Sequence, residues 1–474
     1  MLPRALTVQL GAARGAGLAI LVSRMRVCPG VVVFLVTITA MVGNAEAQWR
    51  SASYYGGSDY EFSSHLVIDA QGNAYFLGQT YSSDMDPSIV PASQGAPAMA
   101  TFVYKLSPQG TRVYATTVGT GFFLMRPLDL AVGADGSAHV LLIDGQNVRY
   151  VIQLDAAGRE TARVTISPYA TGRYAQAIAV DSDGNSVVAG GTSGEGPFVV
   201  RVDRRGVMFD VYRLKASATV NDVAIDAAGN IYLLGVASAG DLPITAGSFQ
   251  QQFKAGACPH PEKPTLTVPC TDAFVLKVTR TGTVVYATYF GGAGREDGGT
   301  IIVDRTGSAI ISGDTQSADL PLVAPVKAQC SNRLLLLPCG EGYIAKLDPR
   351  GGTLVFSTYS GARATTLAVD AAGTVYAGGA TWRSSGLPIY RAPQPDFGGG
   401  DSDGYVIAYS PRGQLLWSTH VGGSREESVT GIGVVGGFVY FGGQTTSAEF
   451  ATGGPPFHGG RDLFLARVFD PLAP

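Results

Sequence analysis

Ile225–Gly235 reads IDAAGNIYLLG: an apolar residue and an aspartate, a Gly-Asn pair, and a second apolar run that closes on glycine. Glycine and asparagine tolerate the positive φ that a tight turn between antiparallel strands demands, so the stretch predicts a β-hairpin. The phrase returns as LVIDAQGNAYFLG from Leu66, LAVGADGSAHVLL from Leu130, IAVDSDGNSVVAG from Ile178, IIVDRTGSAIISG from Ile301, LAVDAAGTVYAGG from Leu367 and IGVVGGFVYFGG from Ile432. Counting the copy around Ile225, there are seven. Their turn glycines, Gly72, Gly136, Gly184, Gly229, Gly307, Gly373 and Gly437, are spaced by 64, 48, 45, 78, 66 and 64 residues, so one unit recurs with insertions of variable length. Six residues after the turn glycine a second glycine ends the hairpin in six copies (Gly78, Gly190, Gly235, Gly313, Gly379, Gly443), and Leu142 stands there in the other.

A second hairpin follows each first one. FVYKLSPQGTRVYATTVG, YVIQLDAAGRETARVTI, FVVRVDRRGVMFDVYRL, FVLKVTRTGTVVYATYFGG, YIAKLDPRGGTLVFSTYSG and YVIAYSPRGQLLWSTHVGG alternate apolar and polar residues around a glycine turn. Four antiparallel strands per repeat make a propeller blade. The first run of each repeat is almost wholly apolar, as expected of the strand nearest the axis with packed neighbours on both faces, and the fourth is more polar, as expected of an outer edge. The seventh copy ends its third strand near Asp470 without a fourth, while WRSASYYGG at Trp49–Gly57 carries the fourth-strand phrase. The expected fold is therefore all-β: a single seven-bladed β-propeller over residues 48–474, closed by the N-terminal strand completing the last blade.

The phrases also resemble a known family. SAGDLPITAGSFQ from Ser238 and DAFVLKVTRTGTVVYATYFGG from Asp272 look like the bacterial β-propeller repeat called SBBP, and the resemblance covers essentially all of the chain after residue 47. It implies a propeller found among exported and cell-surface proteins, and supplies no catalytic residues. Blades two and three depart from it, lacking the Gly-Gly ending and the S-x-D-L-P loop.

Composition agrees. Charged residues are 15% and glycines number 63, against roughly 25% charged and about 7% glycine in ordinary soluble domains, a profile that favours turn-rich β structure over helix. The formal charge is −3 with no Lys/Arg run, so nucleic acid is not an expected partner. At the N-terminus, Arg24 and Arg26 precede an apolar core at Val31–Val42 and an A-x-A site at Ala45-Glu46-Ala47. This reads as a secretory signal over residues 1–47, with translation starting at Met1 or Met25 and an uncleaved membrane anchor as the alternative. Its removal takes the charge to −6 and leaves no expected membrane span. Cys28 goes with it, leaving Cys258, Cys270, Cys330 and Cys339 in two Pro-containing insertions; each close pair reads as a disulfide, with free thiols or cross-pairing as alternatives. The expected location is secreted, periplasmic or cell-surface, and the expected state is a monomer.

Local motifs carry no chemistry. GIGVVG at Gly431–Gly436 leads into a strand rather than a helix, and DSDGN at Asp181–Asn185 lacks the later ligands of a calcium loop. The five histidines, His65, His139, His260, His420 and His458, share no metal spacing and read as surface or packed residues. No cofactor or metal is expected. What remains is a set of acidic residues in the loops that share one propeller face: Asp59, Glu61, Asp84, Asp241, Glu296, Asp297, Asp319, Glu426 and Glu427. These read as turn caps or, more sharply, as a ligand face. A non-enzymatic binding or scaffold propeller presenting its loops to a glycan, peptide or cell-surface protein is the expected function. A hydrolase or lyase acting on polysaccharide, with a site assembled from several blades, is the alternative.

Overall fold

Asp226 is the reason the recurring phrase turns where it does. Its Oδ1 accepts the Ala228 and Asn230 amides at 3.0 and 2.9 Å, and its Oδ2 accepts the Asn230 side-chain amide at 2.8 Å. Gly229 takes φ +81°, and the turn glycines of the other six copies all lie between +76° and +86°, a region that costs other residues strain. Tyr232, two residues past the turn, then reaches out of its own sheet: its hydroxyl lies 3.0 Å from both Asp226 Oδ2 and the carbonyl of Gly307, the turn glycine of the next copy. Tyr75 repeats the arrangement with Asp69 and Gly136. The phrase thus encodes a hairpin and a bolt to its neighbour, each bolt contributing about 1 kcal/mol net.

The computed structural model describes residues 19–28, 31–39, 48–89, 99–119, 125–166, 174–192, 194–254, 256–259, 266–330, 339–383 and 385–470. The chain divides into two compact units, Met1–Glu46 and Ala47–Pro474. In the first, Ala19–Cys28 pairs antiparallel with Val31–Thr39; the A-x-A motif at 45–47 lies outside the described residues. The second is a seven-bladed β-propeller whose blades are four-stranded antiparallel sheets. Blades one to six occupy 61–119, 126–166, 175–213, 218–290, 296–359 and 364–421. Blade seven is Glu427–Val435, Phe438–Thr445 and Asp462–Phe469, with Gln48–Tyr55 paired to the last of these as its fourth strand. Each first strand packs against the next around the ring, and Glu427–Val435 packs against Glu61–Ile68. Among the described residues there is no helix, so none is long and apolar enough to cross a membrane.

Burial is highest in the middle of each blade, not at its inner edge. The third strands Ala100–Leu106, Asp272–Val278, Glu341–Leu347 and Asp403–Tyr409 are buried at every residue, whereas the first strands alternate between buried and partly exposed ones. This corrects the expectation that the innermost strand packs on both faces: its alternate side chains line the open axis. Each first strand also breaks register near its start, at Ser63/His65, Pro127/Asp129, Ala175/Ala177, Val220/Asp222, Gly298/Ile301, Ala364/Thr366 and Val429/Gly431. The bulge explains the second glycine of the phrase. A methyl group on Gly235 would stand 1.9 Å from the Thr219 carbonyl, and one on Gly313 or Gly443 equally close to Asp297 or Ser428.

Removing residues 48–57 should leave the third strand of blade seven as an unpaired edge and take away the buried Ala52 and Tyr54. We expect a loss of at least about 3 kcal/mol, the usual cost of one buried aromatic. Urea denaturation of the truncated chain against the full one checks this, an unchanged midpoint being the contrary result.

Candidate functional site

The acidic loop residues divide by position. Asp84, Asp241 and Asp319 each cap the loop that enters their own blade: Asp84 accepts the Ser58 amide at 2.8 Å, Asp241 the Ser217 amide at 2.9 Å, and Asp319 the Ala293 amide at 2.9 Å. Asp59 and Glu426 are exposed, Glu426 lying 3.4 Å from Arg461, and Asp297 is partly exposed, 3.8 Å from Arg295. The nine residues serve four separate blades, one, four, five and seven, in local sets rather than converging.

Glu61, Glu296 and Glu427 correct the reading of a solvent-facing acidic ligand face, because all three are buried. Glu61 accepts Thr80 Oγ1 at 2.7 Å and the Gly57 amide at 3.1 Å; Glu296 accepts Thr315 Oγ1 at 2.6 Å and the Gly292 amide at 2.9 Å; Glu427 accepts Thr445 Oγ1 at 2.7 Å and the Gly423 amide at 2.9 Å. Each faces a second buried carboxylate from the preceding blade, Asp462, Asp272 and Asp403 in turn. The first residue of the Gly-Gly ending sits between them: a methyl group on Gly291 would meet Glu296 Oε2 at 2.4 Å and Asp272 Oδ1 at 2.6 Å. Asp272 Oδ1 and Asp462 Oδ1 have no hydrogen-bond partner. Burial pushes Glu296 and Asp462 up to about 7 and Asp272 up to about 6, and it raises Glu61, Glu427 and Asp403 as well. Burial and the neighbouring like charge both disfavour the ionised form of these carboxyls.

Among the described residues, parts of the connections after the second strands run as straps along the outer strand of their own blade. In blade four Gln250 exchanges bonds with Thr288 and Tyr289; in blade five Val323 pairs with Ser357; in blade six Tyr390 pairs with Ser418; in blade seven Thr452 bonds Ala52. Leu242 and Leu320 go under as buried anchors. The disulfides Cys258–Cys270 and Cys330–Cys339 close within the blade four and blade five insertions. Under the straps the outer strands Val284–Phe290 and Leu415–Val421 are mostly buried, whereas Glu160–Ile166 and Met208–Arg213 of blades two and three are largely open.

The axis holds a cluster that motif reading missed. His65, Asp129 and Asp222 stand at the same repeat position, directly after the bulge, on blades one, two and four. His65 Nε2 is 3.7 Å from Asp129 Oδ1. Asp129 accepts the amides of Leu130 and of Ile178 in blade three, both at 2.7 Å; Asp222 accepts Val223 at 2.7 Å and, from blade five, Ile301 at 2.8 Å and Thr300 Oγ1 at 2.7 Å. The Asp129 charge raises Asp222 and the Asp222 charge acts on His65, an influence between blades one, two and four that is possible only across the axis. Burial is the main cause of all three shifts, holding both aspartates up to about 7 and His65 down to about 4. Even so, 35% of the His65 side chain and 17% of the Asp129 side chain remain accessible. His65 Nδ1 has no partner, and among the described residues no lysine or arginine pairs with either aspartate. Asn221 and Thr365 extend the polar lining. At the other end, Val303, Arg305, Val369, Asp370, Val434 and Gly436 frame a mouth of about 350 Å³. The sequence signal was a polar residue interrupting an apolar first run at one repeat position: SSHLVID, PLDLAVG and VNDVAID.

No family model and no curated protein matches the chain. Among solved structures it is similar to hydrazine synthase of Kuenenia stuttgartiensis (12% identity, TM-score 0.48, covering 81% of this chain and 93% of that one). It is also similar to virginiamycin B lyase of Staphylococcus aureus (9%, 0.45, 89% and 99%) and to the WD40 β-propeller domain of Doa1 (10%, 0.44, 90% and 97%). Such identities do not bear on activity.

The buried pairs predict a pH dependence. A carboxyl whose folded pKa lies above its unfolded value near 4 stabilises the fold fully below that value, and the contribution is lost as pH rises through the folded pKa, here about 6 to 7. In Asp272→Asn the amide nitrogen would take the unpartnered Oδ1 place and donate to Glu296. Its stability relative to the parent should therefore rise between pH 4 and pH 8 by on the order of 1–2 kcal/mol, read from urea midpoints at the two pH values.

Proposed function

We propose that the chain is an exported, non-enzymatic ligand-binding propeller of the SBBP type that takes an organic cation, such as the ammonium group of a lysine side chain or amino sugar, at its axis. The observation that carries this reading is the axial cluster: two carboxylates beside His65, with no lysine or arginine of the described residues paired to them. An ammonium would complete the cluster with charge-assisted hydrogen bonds, the stronger kind. Export is supported by the N-terminal signal pattern and by two disulfides, which persist in oxidising compartments. The repeat phrases support the family. A monomer, and a partner of glycan or peptide nature carrying the cation, complete the proposal.

A hydrolase or lyase would draw on the same three groups as acid and base. Binding is favoured because each aspartate is already held by two backbone amides, which orient a carboxylate but leave it less free to approach a reacting atom.

Calorimetric titration with Nα-acetyl-lysine amide, against the norleucine analogue that lacks the charge, tests the reading. Affinity should increase from pH 6 to pH 8 as the aspartates lose their protons, and Asp222→Asn should weaken it about tenfold, equivalent to about 1.4 kcal/mol. Equal affinity for the uncharged analogue would remove the cation site, and turnover of a glycan by the parent chain would replace binding with catalysis.

A further inference from the structure

The third strand of five blades carries a basic residue at one position, and four of the five have an acid waiting for it. Arg201 pairs with Asp181 at 3.0 Å, Lys277 with Asp226 at 3.6 Å and Lys346 with Asp304 at 2.8 Å, while Lys105 feels the charge of Asp69. In every case the acid is the turn aspartate of the recurring phrase. Where the blade also keeps the phrase's tyrosine, as in blade four, the tyrosine hydroxyl lies 3.0 Å from that carboxylate, which is thus held by a cation and a phenol together.

Blade seven keeps the cation and the phenol and lacks the acid. Its first turn is shortened to Val435-Gly436-Gly437-Phe438, so that Val435 occupies the aspartate's place, while Tyr440 and Arg467 remain. Among the described residues no carboxylate forms an ion pair with Arg467, and its Nε is buried without a hydrogen-bond partner. The guanidinium rests over the Phe438 ring at 5.2 Å, a contact that leaves the Nε–H without an acceptor. A buried guanidinium donor with no acceptor is costly, which marks the place as incomplete.

A second substitution opens the space. In the fourth strand, the residue paired with the cation is a buried aromatic in three of the sister blades, Tyr114 beside Lys105, Tyr286 beside Lys277 and Phe356 beside Lys346, and the exposed Phe209 beside Arg201 in the remaining one. Opposite Arg467 it is Ser51. The result is a cavity of about 110 Å³ between blades seven and one, lined by Ser51, Ser53, Tyr55, Gly110, Tyr440 and Arg467. Three hydroxyls beside the two groups that elsewhere grip a carboxylate form a polar pocket of matching chemistry.

We propose that this cavity binds a small carboxylate, gripped by the same kinds of group, a cation and a phenol, that hold the turn aspartate in blade four. Arg467 donates to it from one side and the Tyr440 hydroxyl from the other, and the serines receive the short remainder of the ligand. The volume restricts the occupant to something about the size of acetate or lactate, or to the acidic tip of a peptide.

Calorimetry at fixed ionic strength with acetate, propionate and an acetylated aspartate amide, against chloride, sulfate and phosphate, reads the site directly. Saturable binding of one carboxylate per chain is expected, with no comparable binding of the inorganic anions. Arg467→Gln should abolish it, Arg467→Lys should retain part of it, and Tyr440→Phe, which removes one hydroxyl and should fold normally, should weaken it several-fold. Acetate against the aspartate amide distinguishes a free metabolite from a peptide side chain. No binding beyond that of chloride, tighter binding of sulfate or phosphate, or parental affinity in folded Tyr440→Phe and Arg467→Gln would each overturn the assignment.

Discussion

The register break at the start of every first strand is the constraint on which this propeller depends. A strand nearest the axis has neighbours crowding it from both adjacent blades, and a bulge bends and twists it away from a straight ladder. In six blades the extra residue drives a carbonyl close to the second strand, where glycine leaves room, as at Gly235 against Thr219, while blade two places Leu142 there. It also frees backbone groups that the preceding blade must satisfy. Asp129 answers Ile178, Asp222 answers Ile301, and the Asn221 side chain donates to the Gly298 carbonyl. The blade-to-blade joints near the axis are therefore answers to the bulge, and the same bulge turns His65, Asp129 and Asp222 toward the channel.

Blades are thus joined at two radii by different chemistry. Near the axis, carboxylates and amides meet bulged backbone. Further along the first hairpin, Tyr75 and Tyr232 reach a neighbour's turn glycine, and at the junction of blades six and seven Tyr376 and Trp417 both donate to Asp470 instead. Blade two departs most, with Gly133, His139 and Gln153 at the positions of the usual aspartate, tyrosine and lysine. There His139 bonds Ser186 of blade three at 2.7 Å, so the joint is kept with neutral partners, and a cavity of about 240 Å³ opens beside it. Blades two and three are also the two with uncovered outer strands, so the ring has a strapped side and a bare one.

What could be read from the residues alone follows from which interactions are local. Hairpins are made by neighbours in sequence: the aspartate, the turn glycine and the tyrosine three past it are within seven positions, and all were visible in IDAAGNIYLLG. Blade number and the disulfides Cys258–Cys270 and Cys330–Cys339 were legible for the same reason. The sides of a glutamate were not. Glu296 and Glu426 look alike in GGAGRED and GGSREE, yet one is buried against Asp272 and the other exposed, because the deciding partner comes from another blade. The straps were not legible, since their hydrogen bonds go to strands some thirty to forty residues on, where a polar connection and a cover for an edge look the same in sequence. The axial cluster drew one residue from each of three blades and had no motif to betray it.

The strand that completes blade seven has a consequence in time. Ala52 finds its partner Thr452 at a separation of 400 residues, while nearly every other strand pairs within its own blade. At a synthesis rate of about 5–20 residues per second, roughly 20–80 seconds pass between the appearance of Gln48–Tyr55 and that of its partner. Throughout that interval six blades can assemble in order, each on local contacts, while the propeller's first strand waits with its Tyr54 uncovered. Ring formation is therefore the slow, non-local step of an otherwise local folding sequence, and a chain halted before Asp462 would carry two sticky ends of the same sheet.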